Sequence, residues 1–311
     1  MTRIFCYAGC LLLLCGIALA VQQAGGRGAA GTATPGPRGP GASAGETSIL
    51  VLGVGTPAMS AERSGTSIGV IVRGTIYIFD AGPGVERRMF EARARVNNGI
   101  QRIGPVFITH LHSDHTLGLP AMLYHVRSPG TPFTLYGPPG LKNMMTHILA
   151  AWQEDRDERV NGLQHSSPVG WETDVHEITS GVVFKDSNIT VKAFEVPHGG
   201  WQHALAYRVE TPDRSIVISG DTRPTDTIVQ ACNGCDVLIH EAIFEAAVTP
   251  EYIKEYHTTP AQLGEIAARA KARMVVIYHH APATIPASEF VRAVLASYQG
   301  PVMFARDLDI Y

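Results

Sequence analysis

Three histidines and one aspartate fall within six consecutive residues, and this cluster constrains the fold more than any other stretch. The cluster runs from His110 to His115 and reads HLHSDH. It follows the apolar run 105–108, which predicts a buried strand, and precedes 117–126, whose apolar spacing predicts a helix. We therefore expect the cluster on a loop at the C-terminal end of a strand, the edge where α/β sheets usually carry their chemistry.

The residue types in this cluster suit a metal site. Imidazole and carboxylate ligands together are typical of zinc and other borderline metals. In an extended segment His110 and His112 project to the same side, and a turn after Ser113 can bring Asp114 and His115 towards a second point. An exposed polar loop is the alternative, but four ligand residues in six positions favour metal binding.

The spacing His-x-His-x-Asp-His after an apolar strand resembles the signature of the metallo-β-lactamase superfamily. Upstream, 52–57 (LGVGTP) and 79–82 (FDAG) resemble the opening of its ribonuclease Z and arylsulfatase-like branch. The resemblance covers about 47–283. It implies an α/β fold, the four-layer αβ/βα metallo-β-lactamase sandwich, and a metal-dependent hydrolase.

The resemblance also implies seven ligands for two Zn²⁺ ions, although other divalent transition metals stay open. One ion is expected on His110, His112 and His198, the other on Asp114, His115 and His279, with Asp221 bridging both. His198 ends a predicted strand, which favours it over its competitor His203. His280 is expected to point away from the metals if the last strand continues through it.

Two residues are assigned to catalysis by the same resemblance. Asp114 is expected to orient or deprotonate the nucleophile as well as bind metal, and His257 to protonate the leaving oxygen. A helix-capping or core histidine is the alternative for His257. Asp80 is expected to stand behind a ligating imidazole and orient it, with a turn-capping aspartate as the alternative.

The N-terminal residues differ in composition from the rest and are not expected to join the fold. Residues 1–20 have the charged start and the small-residue end of a signal peptide, with an apolar run at 11–21. Residues 21–46 are rich in Gly, Ala and Pro, which predicts a flexible linker. The hydrolase domain is then expected to span 47–311.

Export is the expectation that follows from this leader. Cleavage is predicted after Ala20, with no stable membrane span after processing and a periplasmic or secreted location. A lipoprotein at Cys10 or Cys15 is disfavoured because neither has the usual surroundings. In an oxidising compartment the two remaining cysteines, Cys232 and Cys235, could form a local disulfide.

Some segments between the strands are candidates for the substrate cleft. The three tryptophans, Trp152, Trp171 and Trp201, fall in or near non-strand segments and either line a cleft or serve packing. The stretch 153–171 is predicted to be charged and irregular, and it could cover the site.

The sequence thus predicts an exported binuclear zinc hydrolase that cleaves small phosphodiesters or related esters through a metal-bridging hydroxide. A ribonuclease Z-type tRNA 3′-endonuclease is an alternative, as are an arylsulfatase, a lactonase, a β-lactamase and a non-catalytic zinc-binding protein. The resemblance places a tRNA-binding arm between the third metal histidine and the bridging aspartate, where two predicted strands and a turn fill 199–220. With a net charge of −3, nucleic acid is not expected as a partner. Monomer and homodimer both stay open.

Overall fold

The computed structural model describes residues 46–58, 60–93, 95–96, 99–126, 130–244 and 251–311. The predicted signal peptide (1–20) lies outside these residues, as does the linker (21–46) apart from Glu46. Across the described ranges, no helix has the length and apolar character needed to cross a membrane.

The first of two sheets contains six strands in the order β1-β2-β3-β4-β5-β6. Its first three strands are antiparallel neighbours, and β3 to β6 then run parallel. The strands are β1 (Thr47–Gly53), β2 (Ser67–Val72), β3 (Thr75–Phe79), β4 (Arg102–Phe107), β5 (Phe133–Gly137) and β6 (Thr173–Glu177).

The second sheet contains seven strands in the order β13-β12-β11-β10-β9-β8-β7. Strands β10 to β13 run parallel, and β9 is antiparallel to both β10 and β8. The strands are β7 (Gly181–Lys185), β8 (Thr190–Glu195), β9 (Leu205–Glu210), β10 (Ser215–Ile218), β11 (Val237–Ile243), β12 (Val275–Ala281) and β13 (Val302–Phe304).

Helices cover the outer face of each sheet. They are α1 (Val85–Ala92), α2 (Ser113–Thr116), α3 (Leu119–His125), α4 (Leu141–Ala151), α5 (Gln153–Asn161), α6 (Asp226–Cys232), α7 (Pro260–Ala270) and α8 (Ala287–Leu295). Buried residues of α1, α3 and α4 pack on the first sheet, and those of α6, α7 and α8 pack on the second.

Between the sheets lies a third apolar cluster, to which both sheets contribute. Phe79 and Phe107 from the first sheet stack at 4.9 Å, and Tyr207 from the second sheet packs against both rings. Each fully buried aromatic or aliphatic side chain contributes roughly 1.5–3 kcal/mol. Helices, sheet, sheet and helices form four layers, so the predicted αβ/βα sandwich is confirmed.

The structure corrects two predicted segments. The helix expected over 117–126 begins at Leu119, and the metal loop before it forms a separate short helix, α2. The stretch 153–171, predicted to be irregular, contains helix α5. That helix buries no residue, but an Arg159–Asp155 ion pair one turn apart (2.9 Å) supports it. Its role as a cover stays a prediction.

Two local features of the second half of the chain follow from its sequence: the TTPAQ segment 258–262 is typical of a helix start, and the paired cysteines are expected to form a disulfide. Thr259 caps α7, and Gln262 completes the capping box. Cys232 and Cys235 are joined in a disulfide at the end of α6. Asn233 between them adopts the left-handed conformation that ends the helix.

Candidate active site

The candidate ligands converge because the strands that precede them end at one edge. Strands β8 and β10 are both antiparallel to β9, so they run in the same direction. His198 and Asp221 therefore emerge on the same side of the second sheet, where β12 also delivers His279. The loop and helix after β4 bring the cluster that begins at His110 to this edge from the first sheet.

Three imidazoles form the first group of candidate ligands. His110 Nε2 lies 2.9 Å from His112 Nδ1, which lies 3.2 Å from His198 Nε2. His110 and His198 are fully buried. Together with Asp221, these residues can present one ligand atom each within 4.8 Å of one another.

The second group combines a carboxylate with two imidazoles. Asp114 Oδ2 lies 3.1 Å from His279 Nε2 and 3.6 Å from His115 Nε2. All three side chains are buried. His279 adopts a positive φ of 40° at a bulge in β12, which turns its ring towards the cluster.

Asp221 lies between the two groups. Its Oδ2 atom is 3.9 Å from His110 Nε2 and from His198 Nε2 and 3.4 Å from His279 Nε2. Its Oδ1 atom is 3.4 Å from His115 Nε2. One carboxylate thus contacts both groups, which is the placement that a bridging ligand needs.

The donor set fits two divalent transition-metal ions. His115 Nε2 and Asp221 Oδ1 are buried side-chain atoms without a hydrogen-bond partner among the described residues. Such atoms are costly unless another group satisfies them. Ligand atoms around a common zinc ion lie roughly 3–4 Å apart, in the range of the separations given above.

Hydrogen bonds behind the imidazoles fix their orientation. His115 Nδ1 donates to Asp80 Oδ2 at 2.8 Å, and Asp80 Oδ1 accepts from the Thr109 backbone N–H at 2.8 Å. His198 Nδ1 donates to the Tyr256 carbonyl at 2.8 Å. Asp80 therefore makes the orienting contact that the sequence suggested, and its position also fixes the backbone of the metal loop.

A second carboxylate–imidazole pair stands beside the metal groups. His257 Nδ1 lies 3.1 Å from Glu241 Oε1 and 3.9 Å from Asp221 Oδ2. Glu241 is fully buried and also accepts from the Thr222 and Thr258 backbone N–H groups. His257, Asp221 and His279 could form a further metal group. The contact with Glu241 is made through Nδ1 of His257 and holds this ring beside both metal groups.

Burial and neighbouring carboxylates set the charges of these groups. Burial alone would lower the pKa of His257, but the Glu241 carboxylate raises it to about 9. Burial lowers the pKa of His198 to about 4. Burial acts against ionisation of Asp221, yet the surrounding imidazoles hold the pKa of this carboxyl well below its usual range. The site therefore combines a neutral His198, an ionised Asp221 and a charged His257.

Two competing histidines lie outside the groups. His203 contacts Glu195 Oε1 at 3.2 Å and is not part of either metal group, which favours His198 as the candidate ligand. His280 packs against Phe304 with ring centroids 3.9 Å apart, and its Nε2 donates to the Ala305 carbonyl. It points away from the metals, as predicted.

Sequence reasoning missed two residues of the site. Glu241 was not assigned a role, although a carboxylate inside the apolar strand β11 is a detectable signal. Trp201 was only a cleft candidate, but its Nε1 lies 2.8 Å from His112 Nε2. Trp152 and Trp201 line a cavity of about 620 Å³, whereas Trp171 is buried and packs on Tyr124.

Comparison with known proteins agrees with this geometry. Residues 75–280 match a family model described as a β-lactamase superfamily domain. The chain is 32% identical over 254 residues to a ribonuclease Z of Mycobacterium sp. strain KMS, which covers 78% of this chain and 86% of that protein. It is 28% identical over 271 residues to a ribonuclease Z of Mycobacterium tuberculosis, covering 84% and 96%.

Solved structures share the fold. The short form of human tRNase Z superposes with a TM-score of 0.64 at 23% identity, covering 85% of this chain and 98% of that chain. The metallo-β-lactamase fold protein YhfI of Bacillus subtilis gives 0.65 at 16% identity, covering 85% and 98%. The family model, the ribonuclease Z relatives and the metal-ligand geometry together show that the chain belongs to the metallo-β-lactamase superfamily, in its ribonuclease Z branch, as a metal-dependent hydrolase.

Proposed function

We propose that this protein is a phosphodiesterase of the ribonuclease Z type that cleaves RNA, with the 3′ region of precursor tRNA as substrate. The observation that carries the proposal is the Glu241–His257 pair beside two metal-ligand groups that share Asp221. The ribonuclease Z relatives support RNA as the substrate over the small diesters that the sequence first suggested.

Zinc is the proposed metal, on His110, His112 and His198 and on Asp114, His115 and His279, with Asp221 common to both. When bound, two such ions would lower the pKa of a shared water and offset negative charge that develops at phosphorus. Their ligand atoms are held by the protein fold before any substrate arrives.

The remaining residues supply proton transfer. Asp114 Oδ1 is buried and without a hydrogen-bond partner among the described residues, so it can accept a proton from the attacking water. His257 carries a proton at neutral pH because Glu241 raises its pKa to about 9. That proton can pass to the leaving oxygen as the phosphorus–oxygen bond breaks, which leaves a neutral imidazole beside Glu241.

Hydrolysis of small diesters is a second candidate, and the interval between His198 and Asp221 favours it. Residues 199–220 are all described, and they consist of a short loop, β9, a turn and β10, with no protruding arm. Helix α5 follows α4 directly in the chain and has four acidic and two basic residues. A negative surface there would repel a polyanion.

The two candidates are separated by a direct comparison of substrates. Zinc-loaded protein is assayed at equal concentration on a precursor tRNA and on a small chromogenic phosphodiester, with His257→Ala as the control variant. Site-selective cleavage of the precursor, lost in the variant, supports the ribonuclease Z function. Turnover of the small diester with an intact precursor would assign the second candidate instead.

For the small-diester candidate we also propose export of the protein, with cleavage after Ala20, because an exported protein is separated from precursor tRNA. The charged start, the apolar run and the small residues at 18–20 support it. N-terminal sequencing of protein recovered from the periplasm or medium tests it. An intact N-terminus in the cytosol would refute export, and a mature protein that begins at a lipidated cysteine would replace it with membrane anchoring.

A further inference from the structure

A cavity of about 620 Å³ opens beside the metal groups, and the chemistry described above does not use it. One wall is the face of α4 that carries Met144, Ile148 and Ala151. These positions are four and three residues apart, so they share one side of the helix. The indoles of Trp152 and Trp201 contribute to the rest of the lining.

The cavity lies next to the candidate metal ligands. Leu111, which lines it, sits between the candidate ligands His110 and His112. Trp201 contacts His112 with ring centroids 4.9 Å apart at 89°. A substituent on a phosphoryl group at the metal site therefore has this cavity as a neighbouring space.

The lining selects for a planar apolar group. Trp152 is 45% exposed, so part of its indole is open to contact with a planar ligand. No Lys or Arg occurs among the described residues that line the cavity, so it is not built for a second phosphate. Asn143 and His147 supply the few polar groups that orient a ring edge.

We propose that this cavity is a subsite for an aromatic ring that the substrate carries next to its scissile phosphodiester, with Trp152 as the stacking surface. The inference rests on the proposed phosphodiesterase function and adds the chemical class of the neighbouring group. Two sources share this chemistry, the nucleobase of an RNA and the aryl group of a small diester. Stacking on an aromatic side chain accepts any base, because every base has a π face.

The first test measures binding and does not require turnover. Isothermal titration of the zinc-loaded protein compares phenyl phosphate, cytidine 5′-monophosphate and methyl phosphate. We expect at least one ring compound to bind about 10-fold tighter than methyl phosphate, which is the scale of one stacking contact. Equal affinity for all three would overturn the subsite.

Variants locate the effect. Trp152→Ala should remove the preference for the ring and leave methyl phosphate binding unchanged. Ala151→Gln, which fills the cavity from an exposed position, should do the same and covers the case in which Trp152→Ala fails to fold. Leu163 is 94% exposed and does not line the cavity, so Leu163→Ala is the matched apolar control. A preference that survives both cavity variants would place the ring elsewhere and refute the proposal.

A second test uses three diesters with the same p-nitrophenyl leaving group and a methyl, phenyl or thymidine 5′-yl group on the other side. A higher kcat/KM for the thymidine ester assigns a nucleobase to the subsite, and a higher value for the phenyl ester assigns an aryl group. If the protein binds ring phosphates but cleaves none of the esters, the phosphodiesterase proposal fails while the subsite stands. If it cleaves all three equally and Trp152→Ala changes nothing, only the subsite fails.

Discussion

Replacing Asp80 with asparagine should weaken one of the two metal sites and spare the other. Asp80 Oδ1 accepts from Thr109 N at 2.8 Å, and an asparagine carbonyl can keep that bond. The amide nitrogen would then face His115 Nδ1, which now donates to Asp80 Oδ2 at 2.8 Å. Asp80 has a φ of 62°, a conformation that asparagine tolerates, so the backbone should not change.

The expected loss of metal affinity follows from the two tautomers that remain possible for the neutral His115 ring. If its proton stays on Nδ1, a buried donor meets a donor. If the proton moves to Nε2, the nitrogen that faces Asp221 and Asp114 cannot bind metal. Loss of such an orienting partner typically costs about 10–100-fold in metal affinity, which is roughly 1.4–2.8 kcal/mol.

Zinc titration against a chromophoric chelator measures this effect. The wild type should show two tight sites, and Asp80→Asn should show one tight and one weakened. Asp236→Asn is the matched control, because Asp236 also accepts from a backbone N–H and a hydroxyl, at Ser215, yet is in neither metal group. Unchanged affinity at both sites, or equal weakening of both, would refute the role assigned to Asp80.

The remaining predictions address the metals, the bridge and a buried histidine. Exhaustive chelation followed by zinc reconstitution should restore activity at two ions per chain, and a stoichiometry that stays at zero by elemental analysis would contradict the metal site. Asp221→Ala should lose bound metal, whereas His257→Ala should keep it and lose about 100-fold in kcat, the usual scale for a general acid; metal loss in the second variant would make His257 a ligand. Burial lowers the pKa of His240 to about 4 from 6.5, so its stabilising contribution is complete above pH 6.5 and is lost as pH falls towards 4. Urea unfolding between pH 5 and 7 measures how the free energy of unfolding changes with pH. This pH dependence should be weaker in His240→Gln than in the wild type, and an identical dependence would show that other groups dominate it.

The sequence predicts candidate ligands after strands, and the structure brings these residues together. The apolar run before the His110 cluster and the strand before His198 both end at the site, because strands that run in one direction bring their C-terminal residues to one edge. The order of the strands in the two sheets was not needed for this step. The family resemblance supplies the candidate ligands, and the positions of His198 and Asp221 after predicted strands agree with it.

The prediction of secondary structure failed for a helix that has no apolar stripe. Helix α5 buries none of its residues, so hydrophobic periodicity gives no signal for it. The sequence contains the Asp155 and Arg159 pair that supports the helix, but an exposed pair at this spacing contributes only about 0.3–0.5 kcal/mol. A charged segment without an apolar stripe is therefore predicted to be irregular.

The bulge at His279 shows a second limit of pattern reasoning. Simple alternation along β12 would place Tyr278 and His280 on the same face, with His279 on the other. In the structure Tyr278 packs between the sheets, while His280 packs outward against Phe290 and Phe304. The register of β12 against β11 skips His279, which frees its ring to turn towards Asp114. The prediction for His280 was right, but the cause is this bulge and not strand alternation.

The Glu241–His257 pair and the cavity depend on contacts that no local pattern encodes. Glu241 and His257 meet only because β11 and the segment before α7 end at the same edge. Likewise, Trp201 reaches the cavity through its contact with His112, while Trp152 arrives there at the end of α4. The candidate metal ligands can be predicted from the sequence because their residue types and spacing resemble a known family, and several of them follow a strand. The groups proposed for proton transfer and for the ring subsite lie on separate elements, so their meeting is a property of the fold and has no local signal in the sequence.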